Sequence, residues 1–545
     1  MMIKKTWGVL TGVLLTALLL AVLFLADQLA GLPFAPYDLF DWLARVLPGD
    51  VIARGIDTMV EVIDRGNLGE TSSTGKTLET ILALVTFLVG GVVGSRVLFA
   101  VLNRSRQVGS ARYIPGLVLG AAFGLPMILI SRSVNVTATA PAEVGFVWLL
   151  TSFFGWGVAL TWVYDRLREP MIAPDRVISP ETITVEQINR RQFLVRFGAA
   201  TATLTVIGAG VGLYLDRREE QQYLARIRRN REAVMPENLP NADADLEPAP
   251  GTRPEYTPLE DHYRIDINLR PPEINGDEWR LRIGGMVDNP LTLTIDDIKN
   301  NYPAMDQYVT LACISNRVGG DLTSTTLWTG ASLQEILGDA GVQSGATHLK
   351  ITSEDGFYET VALDLINSEP RIMLAYHWDG IPLLYKHGFP LRIYIPDLYG
   401  MKQPKWITNI EVMDHDEDGY WIERGWDKVA RMRATSVIDV VADDAPLADE
   451  AGQTLIPIGG IAHAGARGIS RVEVRVDDGE WTETQLRAPL SETTWVIWRY
   501  DWPFSGGEHT FAVRCYEGDG TPQIAEENPA LPSGATGIHT MTREV

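Results

Sequence analysis

The chain has 545 residues, a net charge of -22 and only two cysteines. Its length accommodates several domains with separate cores, and two cysteines exclude a disulfide framework, a thiolate zinc site or a cysteine-held iron–sulfur cluster. The charge is uneven: residues 1–215 hold 17 Lys+Arg against 15 Asp+Glu, and 216–545 hold 30 against 54. An acidic half of this kind lacks the basic stripe that nucleic-acid binding requires. Its acidity instead keeps an exposed domain soluble.

Apolar runs at about 7–26, 80–101, 114–131, 145–164 and 195–215 each reach the roughly 20 residues that a membrane-spanning helix needs. The first follows "MMIKK", but no convincing small-residue cleavage site closes it, so it reads as a retained helix rather than a signal peptide. Arg104, Arg106 and Arg112 follow the second run. Arg166, Arg168, Arg176, Arg190 and Arg191 follow the fourth, against Arg132 alone after the third. Positive-inside bias then puts the N-terminus inside and residues 216 onward on the outer (periplasmic or extracellular) face. The fifth run opens with "NRRQFLVRFGAATATL". There Arg190, Arg191, Phe193 and Leu194 fit a twin-arginine export signal and an ordinary positive flank equally well.

Residues 1–215 thus form a membrane region, and 216–259 a charged helix followed by a Pro- and acid-rich tether. From 260 to 440 the sequence breaks into short β-type segments with a few helices such as "SLQEILGDAG". In 441–545, "SRVEVRVDDGEWTETQL" and "EHTFAVRCYEGDGTPQ" alternate with period two and end in turn residues, which predicts a β-sandwich. The fold class is therefore α+β, preceded by about five transmembrane helices.

Cys313 ends the β-rich run of "YVTLACISNRVGGDL" and is followed by polar and Gly-rich sequence. A cysteine in that setting is a soft metal ligand or a nucleophile, with Arg317 to make it electropositive. Taken alone it is more often a buried apolar residue, as Cys515 is in the alternating strand "FAVRCYEG". A second segment changes the balance. "KHGFPLRIYIPDLYGMKQPKWITNIEV" sets His387, Arg392, Lys402 and Lys405 around a buried strand in an acidic domain, which suggests an anion pocket for phosphate or pyrophosphate.

Together these segments resemble the sulfite oxidase family of molybdopterin-dependent oxidoreductases. "TLACISNRVGGDLTSTTLWTGASLQEIL" resembles its molybdenum segment, and "HGFPLRIYIPDLYGMKQPKWI" its second cofactor segment. "HYRIDINLRPPEINGDEWRLRIGGMVDNPLTLT" resembles its opening strands, and 445–545 its immunoglobulin-like dimerisation domain. The likeness covers about 285 residues from 260 onward and leaves out the membrane part. It implies a molybdenum–molybdopterin cofactor with Cys313 as the single protein ligand to the metal. His387, Arg392, Lys402 and Lys405 match pterin-phosphate contacts, Asn316 and Arg317 lie near the metal, and Tyr263 matches an opening-strand contact. Two positions depart: Val318 replaces a second arginine, and Trp426, with Arg424 nearby, stands where sulfite oxidases carry a tyrosine. Sulfite is thereby in doubt as the substrate, and an S- or N-oxide is equally open.

All eight histidines lie beyond residue 260, so the spans cannot hold a bis-histidine haem, and no C-x-x-C-H motif exists. An external cytochrome or quinone protein is the expected electron partner, the lipid bilayer the anchor, and a homodimer the state that the resemblance implies. Two rivals stand: a non-catalytic membrane assembly or binding protein that retains the fold, and a metal-free cysteine-nucleophile enzyme.

Overall fold

The computed structural model describes residues 5–66, 68–104, 109–168, 180–232 and 239–545. Its contacts divide the chain into two units. One comprises Met1–Leu47, Lys76–Ala225 and Ile267–Pro271; the other comprises Pro48–Gly75, Arg226–Asp266 and Pro272–Val545.

The first unit is helical. Five helical stretches are long and apolar enough to cross a membrane: Trp7–Ala30, Thr71–Arg104, Ser110–Val134, Ala142–Arg168 and Val195–Tyr214. These coincide with the five predicted runs. The helices up to residue 232, of which α3 belongs to the second unit, are α1 (Lys5–Ala30), α2 (Ala35–Val46), α3 (Gly49–Gly66), α4 (Thr71–Arg104), α5 (Ile114–Val134), α6 (Ala142–Arg168) and α7 (Pro180–Glu232). Helices α5 and α6 approach closely because Gly116, Gly120 and Gly124 repeat every fourth residue on one face of α5. A Cβ on Gly157 of α6 would lie 2.1 Å from the Gly116 carbonyl oxygen. Small residues at that spacing bring helix backbones together where lipid offers no hydrophobic drive. The side chains of the twin-arginine stretch, like Arg106 and Arg176, fall outside the described residues.

The second unit carries the α+β sequence. Strands β1 (Leu281–Gly285), β2 (Leu291–Leu293), β3 (Ala304–Ala312), β4 (Thr323–Ser332), β5 (His348–Ser353), β6 (Tyr358–Ala362), β7 (Met373–Trp378), β8 (Ile381–Pro382), β9 (Arg392–Tyr394) and β10 (Ile407–Met413) form two sheets. Their orders are β2-β1-β10-β5-β6 and β3-β4-β7-β8, with β9 also on β7. One apolar core, including Leu281, Ile336, Ile351, Leu374, Ile393 and Ile410, takes residues from both sheets. The C-terminal residues fold as the predicted sandwich. Thr435–Val441, Thr454–His463, Val496–Pro503 and Gln485–Leu486 form one antiparallel sheet; Thr482–Glu483, Ile469–Val476, Glu508–Glu517 and His539–Glu544 form the other. Ile438, Ile458 and Trp498 meet Val472, Phe511 and Cys515 between them, so Cys515 is the core residue its alternating strand indicated.

Two boundaries differ from the sequence reading. Residues 239–259 are no loose tether. Arg487 donates to the carbonyls of Asn241, Ala244 and Leu246, and Arg253 pairs with Asp439 at 2.7 Å. Arg487 satisfies backbone carbonyls that the Pro-rich segment cannot pair by itself, and Arg253 anchors the segment through a carboxylate. Second, Pro48–Gly75, which lies between the first two apolar runs, belongs with the α+β unit.

Candidate active site

Cys313 is the first residue of a ten-residue loop that closes the antiparallel β3–β4 pair, whose last register is Ala312 opposite Thr323. The loop is braced from within. The Cys313 amide donates to the Leu322 carbonyl (3.0 Å), and the Leu322 amide donates to Asn316 Oδ1 (3.0 Å). Asn316 thus spends its side-chain oxygen on loop shape. The half-buried Sγ lies 3.0 Å from Ser315 Oγ and packs with Tyr263, Leu322, Trp328, Met373 and Tyr394. Burial pushes the Cys313 thiol above its usual pKa, while Ser315 and the more distant Lys405 ammonium pull it back down.

The other half of the site is built on the turn before β9. Gly388 has φ +111, and a Cβ there would lie 3.1 Å from Arg392 Cβ and 3.2 Å from Lys405 Cβ. The His-Gly pair therefore lets the chain pass between the two basic residues. Arg392 is 3% exposed. Its guanidinium lies 4.4 Å from the centre of the Trp328 ring and donates to the His387 carbonyl at 3.1 Å. No carboxylate pairs with it among the described residues, its Nε has no acceptor, and burial lowers its pKa to about 10. Lys405 pairs with Asp266, as Arg264 does, yet burial still lowers the lysine to about 8. Three cations, Arg392 buried and Arg264 and Lys405 partly so, thus outnumber the one carboxylate here, and the Nη2 of Arg264 also meets no acceptor among the described residues. A site of that charge is completed by an anion. His387 is buried beside this cluster, 4.7 Å from the Trp378 ring, and stays neutral.

The remaining expected residues are placed as follows. Tyr263 bridges the halves: it packs with Cys313, its hydroxyl lies beside Gly400, and it shares the electrostatic neighbourhood of Arg392. Trp426 packs with Ala312 and Ile314, the neighbours of Cys313, and its buried indole N–H has no acceptor among the described residues. Arg424 stacks 3.6 Å from the centre of the Tyr420 ring and donates to the Tyr420 carbonyl at 2.7 Å. Lys402 stands apart from the basic cluster, its ammonium taken by Glu359 (2.7 Å) and the Thr360 carbonyl (2.9 Å). The short helical turn Gly400–Lys402 faces it toward β6. Lys402→Met should leave the fully buried Glu359 uncompensated and cost about 3–5 kcal/mol in chemical denaturation, more than an exposed lysine would.

Sequence reasoning missed the part played by Pro48–Gly75. Arg317 donates to the Asp57 carbonyl of α3 (3.3 Å), and Asp321 accepts from the Thr71 amide at the start of α4 (2.7 Å). A Cβ on Gly49 would lie 2.6 Å from Arg424 Cα. A cavity of about 410 Å³ on this side is lined by Tyr263, Gly319, Asp321, Asp261 and Glu70. No cue in the sequence pointed to the Asp321 contact, because its carboxylate and the Thr71 amide lie 250 positions apart.

Residues 268–421, which include Cys313, His387, Arg392 and Lys405, match the family model described as the oxidoreductase molybdopterin binding domain. The chain carries an oxidoreductase molybdopterin binding domain and is similar to sulfite oxidases and nitrate reductases. It is 27% identical over 292 residues to mitochondrial sulfite oxidase of Macaca fascicularis, covering 46% of this chain and 53% of that one. Against nitrate reductase [NADH] 1 of Oryza sativa subsp. japonica it is 28% identical over 300 residues, covering 44% and 33%. Sulfite oxidase of Arabidopsis thaliana is 27% identical over 272 residues, covering 42% and 69%. The chain therefore spans about half the length of the mammalian sulfite oxidase it matches.

The residues present fit a molybdopterin. The buried donors without acceptors suit its phosphate, and the half-buried thiol suits its metal. Lys405 makes anion affinity pH-dependent. Its folded-state pKa of about 8 lies below the ordinary 10.5. Between the two values the unfolded chain keeps a proton that the folded chain has lost, so apo-protein stability rises with pH across that window. Bound phosphate favours the cation, so once phosphate is fully ionised its calorimetric affinity should fall as pH rises past about 8.

Proposed function

We propose that the chain is a membrane-anchored oxidoreductase that transfers an oxygen atom, with two electrons, at a molybdenum held by Cys313. The observation that carries this reading is the carboxylate-poor cluster of Arg264, Arg392 and Lys405 on the same domain as a half-buried thiol. When bound, the molybdenum–pterin group supplies the two-electron oxygen-atom chemistry. The chain's own residues do the rest. Cys313 offers a soft ligand, Arg392, Lys405 and His387 hold the phosphate side, and Tyr263 closes the space between them. Arg317, anchored on the Asp57 carbonyl, keeps one positive charge at the mouth of the cysteine loop. Trp426 offers a neutral N–H donor where a sulfite oxidase would have a phenol.

A metal-free cysteine nucleophile is disfavoured, because such residues need a lowered pKa and Cys313 has a raised one. A metal would deprotonate the thiol outright. The domain faces the outer side of the membrane, by the arginine asymmetry of the links. Its electrons pass to or from a separate cytochrome or quinone protein, and the C-terminal sandwich is the dimer face.

Elemental and pterin analysis of the purified protein tests the reading. Wild type should contain one molybdenum and one pterin per chain. A screen of sulfite with an artificial acceptor, and of small S- and N-oxides with an artificial donor, should reveal turnover in one class. Absence of molybdenum after expression with cofactor supply would favour a non-catalytic binding module.

A further inference from the structure

His262 is 5% exposed and lies outside the segment matched by the family model. Its Nδ1 is 3.0 Å from the Tyr263 carbonyl oxygen. A carbonyl only accepts, so Nδ1 must carry the proton. Burial, with Arg392 and Lys405 in the vicinity, lowers the imidazole pKa to about 3, so the ring is neutral. The second nitrogen, Nε2, is therefore a bare lone pair. It is buried and meets no donor among the described residues. The imidazole is flanked by the rings of Trp378 and His387, 5.1 and 5.2 Å away between ring centres, and the Trp378 indole N–H is likewise buried without an acceptor among the described residues.

An acceptor kept in a buried ring cluster without a donor is costly unless something outside the protein supplies one. Phosphate cannot, because its ionised oxygens only accept. A flat heterocycle rich in N–H groups can, and a pterin has both ring and amino N–H donors, with acceptors that suit Trp378.

We propose that His262 is a further cofactor-holding residue, its Nε2 accepting a hydrogen bond from an N–H of the pterin ring system. The assignment depends on the molybdopterin reading of the site. It divides the labour of recognition. Arg392 and Lys405 hold the anionic end, and His262 reads the heterocycle.

The test compares holo-protein of the wild type, His262→Phe and His262→Gln. Phenylalanine keeps a ring and removes the acceptor; glutamine keeps an acceptor oxygen. Two quantities are measured: pterin remaining per chain during dialysis, and calorimetric affinity of each apo-protein for inorganic phosphate. His262→Phe should lose pterin about tenfold faster than wild type, in the range typical of residues that support a bound centre. His262→Gln should stay within about threefold, and phosphate affinity should be unchanged in both. Retention of pterin by His262→Phe at the wild-type rate would mean that water fills the site, and would overturn the proposal. So would equal loss from both variants, which would assign the effect to packing, or a parallel loss of phosphate binding, which would assign it to the anion end or to the fold. Wild-type protein devoid of pterin would instead overturn the cofactor reading itself.

Discussion

Cys313→Ser is expected to abolish oxygen-atom transfer while leaving the protein folded. The Sγ is only half-buried and is hydrogen-bonded to Ser315. A serine oxygen can take the same place, and the change in unfolding free energy should stay within about 1 kcal/mol. The chemistry does not survive the exchange. A serine hydroxyl ionises far above neutral pH and is a hard ligand, whereas a thiolate gives up its proton readily to a soft metal. Turnover should fall by more than about a thousandfold, equivalent to roughly 4 kcal/mol of barrier. Molybdenum measured after gel filtration should fall with it or be held by the pterin alone. A variant that turns over at the wild-type rate would remove Cys313 from the mechanism. Loss of activity with no molybdenum in either protein would revive the free-thiol reading.

Arg392→Met should move stability and cofactor binding in opposite directions. In the apo-protein the guanidinium is buried against Trp328 without a carboxylate. Its desolvation is offset in part by the ring and by the His387 carbonyl. Methionine fills similar space without charge. Apo-protein stability should therefore rise, by about 1–2 kcal/mol once the lost cation–π contact is subtracted. Cofactor retention should fall at least about tenfold, because each charge-assisted hydrogen bond to phosphate contributes about 1.5–3 kcal/mol. Arg392→Lys should recover only part of it, since an ammonium cannot reproduce the planar fork. Denaturant titration of the apo-protein and pterin fluorescence of the holo-protein read the two effects separately. A variant that is both less stable and fully loaded would show Arg392 to be structural.

Much of this was legible in the linear order of residues. A span of about 20 apolar residues has few fates other than a membrane helix, so five of them were visible without coordinates. Period-two alternation with turn residues did the same for the C-terminal sandwich. The cysteine loop and the His-Gly turn were recognisable because their chemistry is local. Gly388 must lack a Cβ where the chain passes between Arg392 and Lys405, and those three residues lie within 18 positions.

Spacing along the chain marked out a basic stretch, but not what each of its residues does. Lys402 and Lys405 are three positions apart in one basic stretch, yet Lys402 is tied to Glu359 and Lys405 joins Arg392. Asn316 braces the loop rather than facing outward. Residues 239–259 read as a tether and are held by Arg487 and, through their own Arg253, by Asp439. The α3 segment gave no sign that it would reach Arg317. These outcomes hang on partners tens to hundreds of positions away. A buried charge or an orphaned carbonyl takes whichever counterpart the folded chain brings within about 3 Å. Local composition determines hydrophobic period and turn chemistry; the pairing of polar groups is decided only when the core closes.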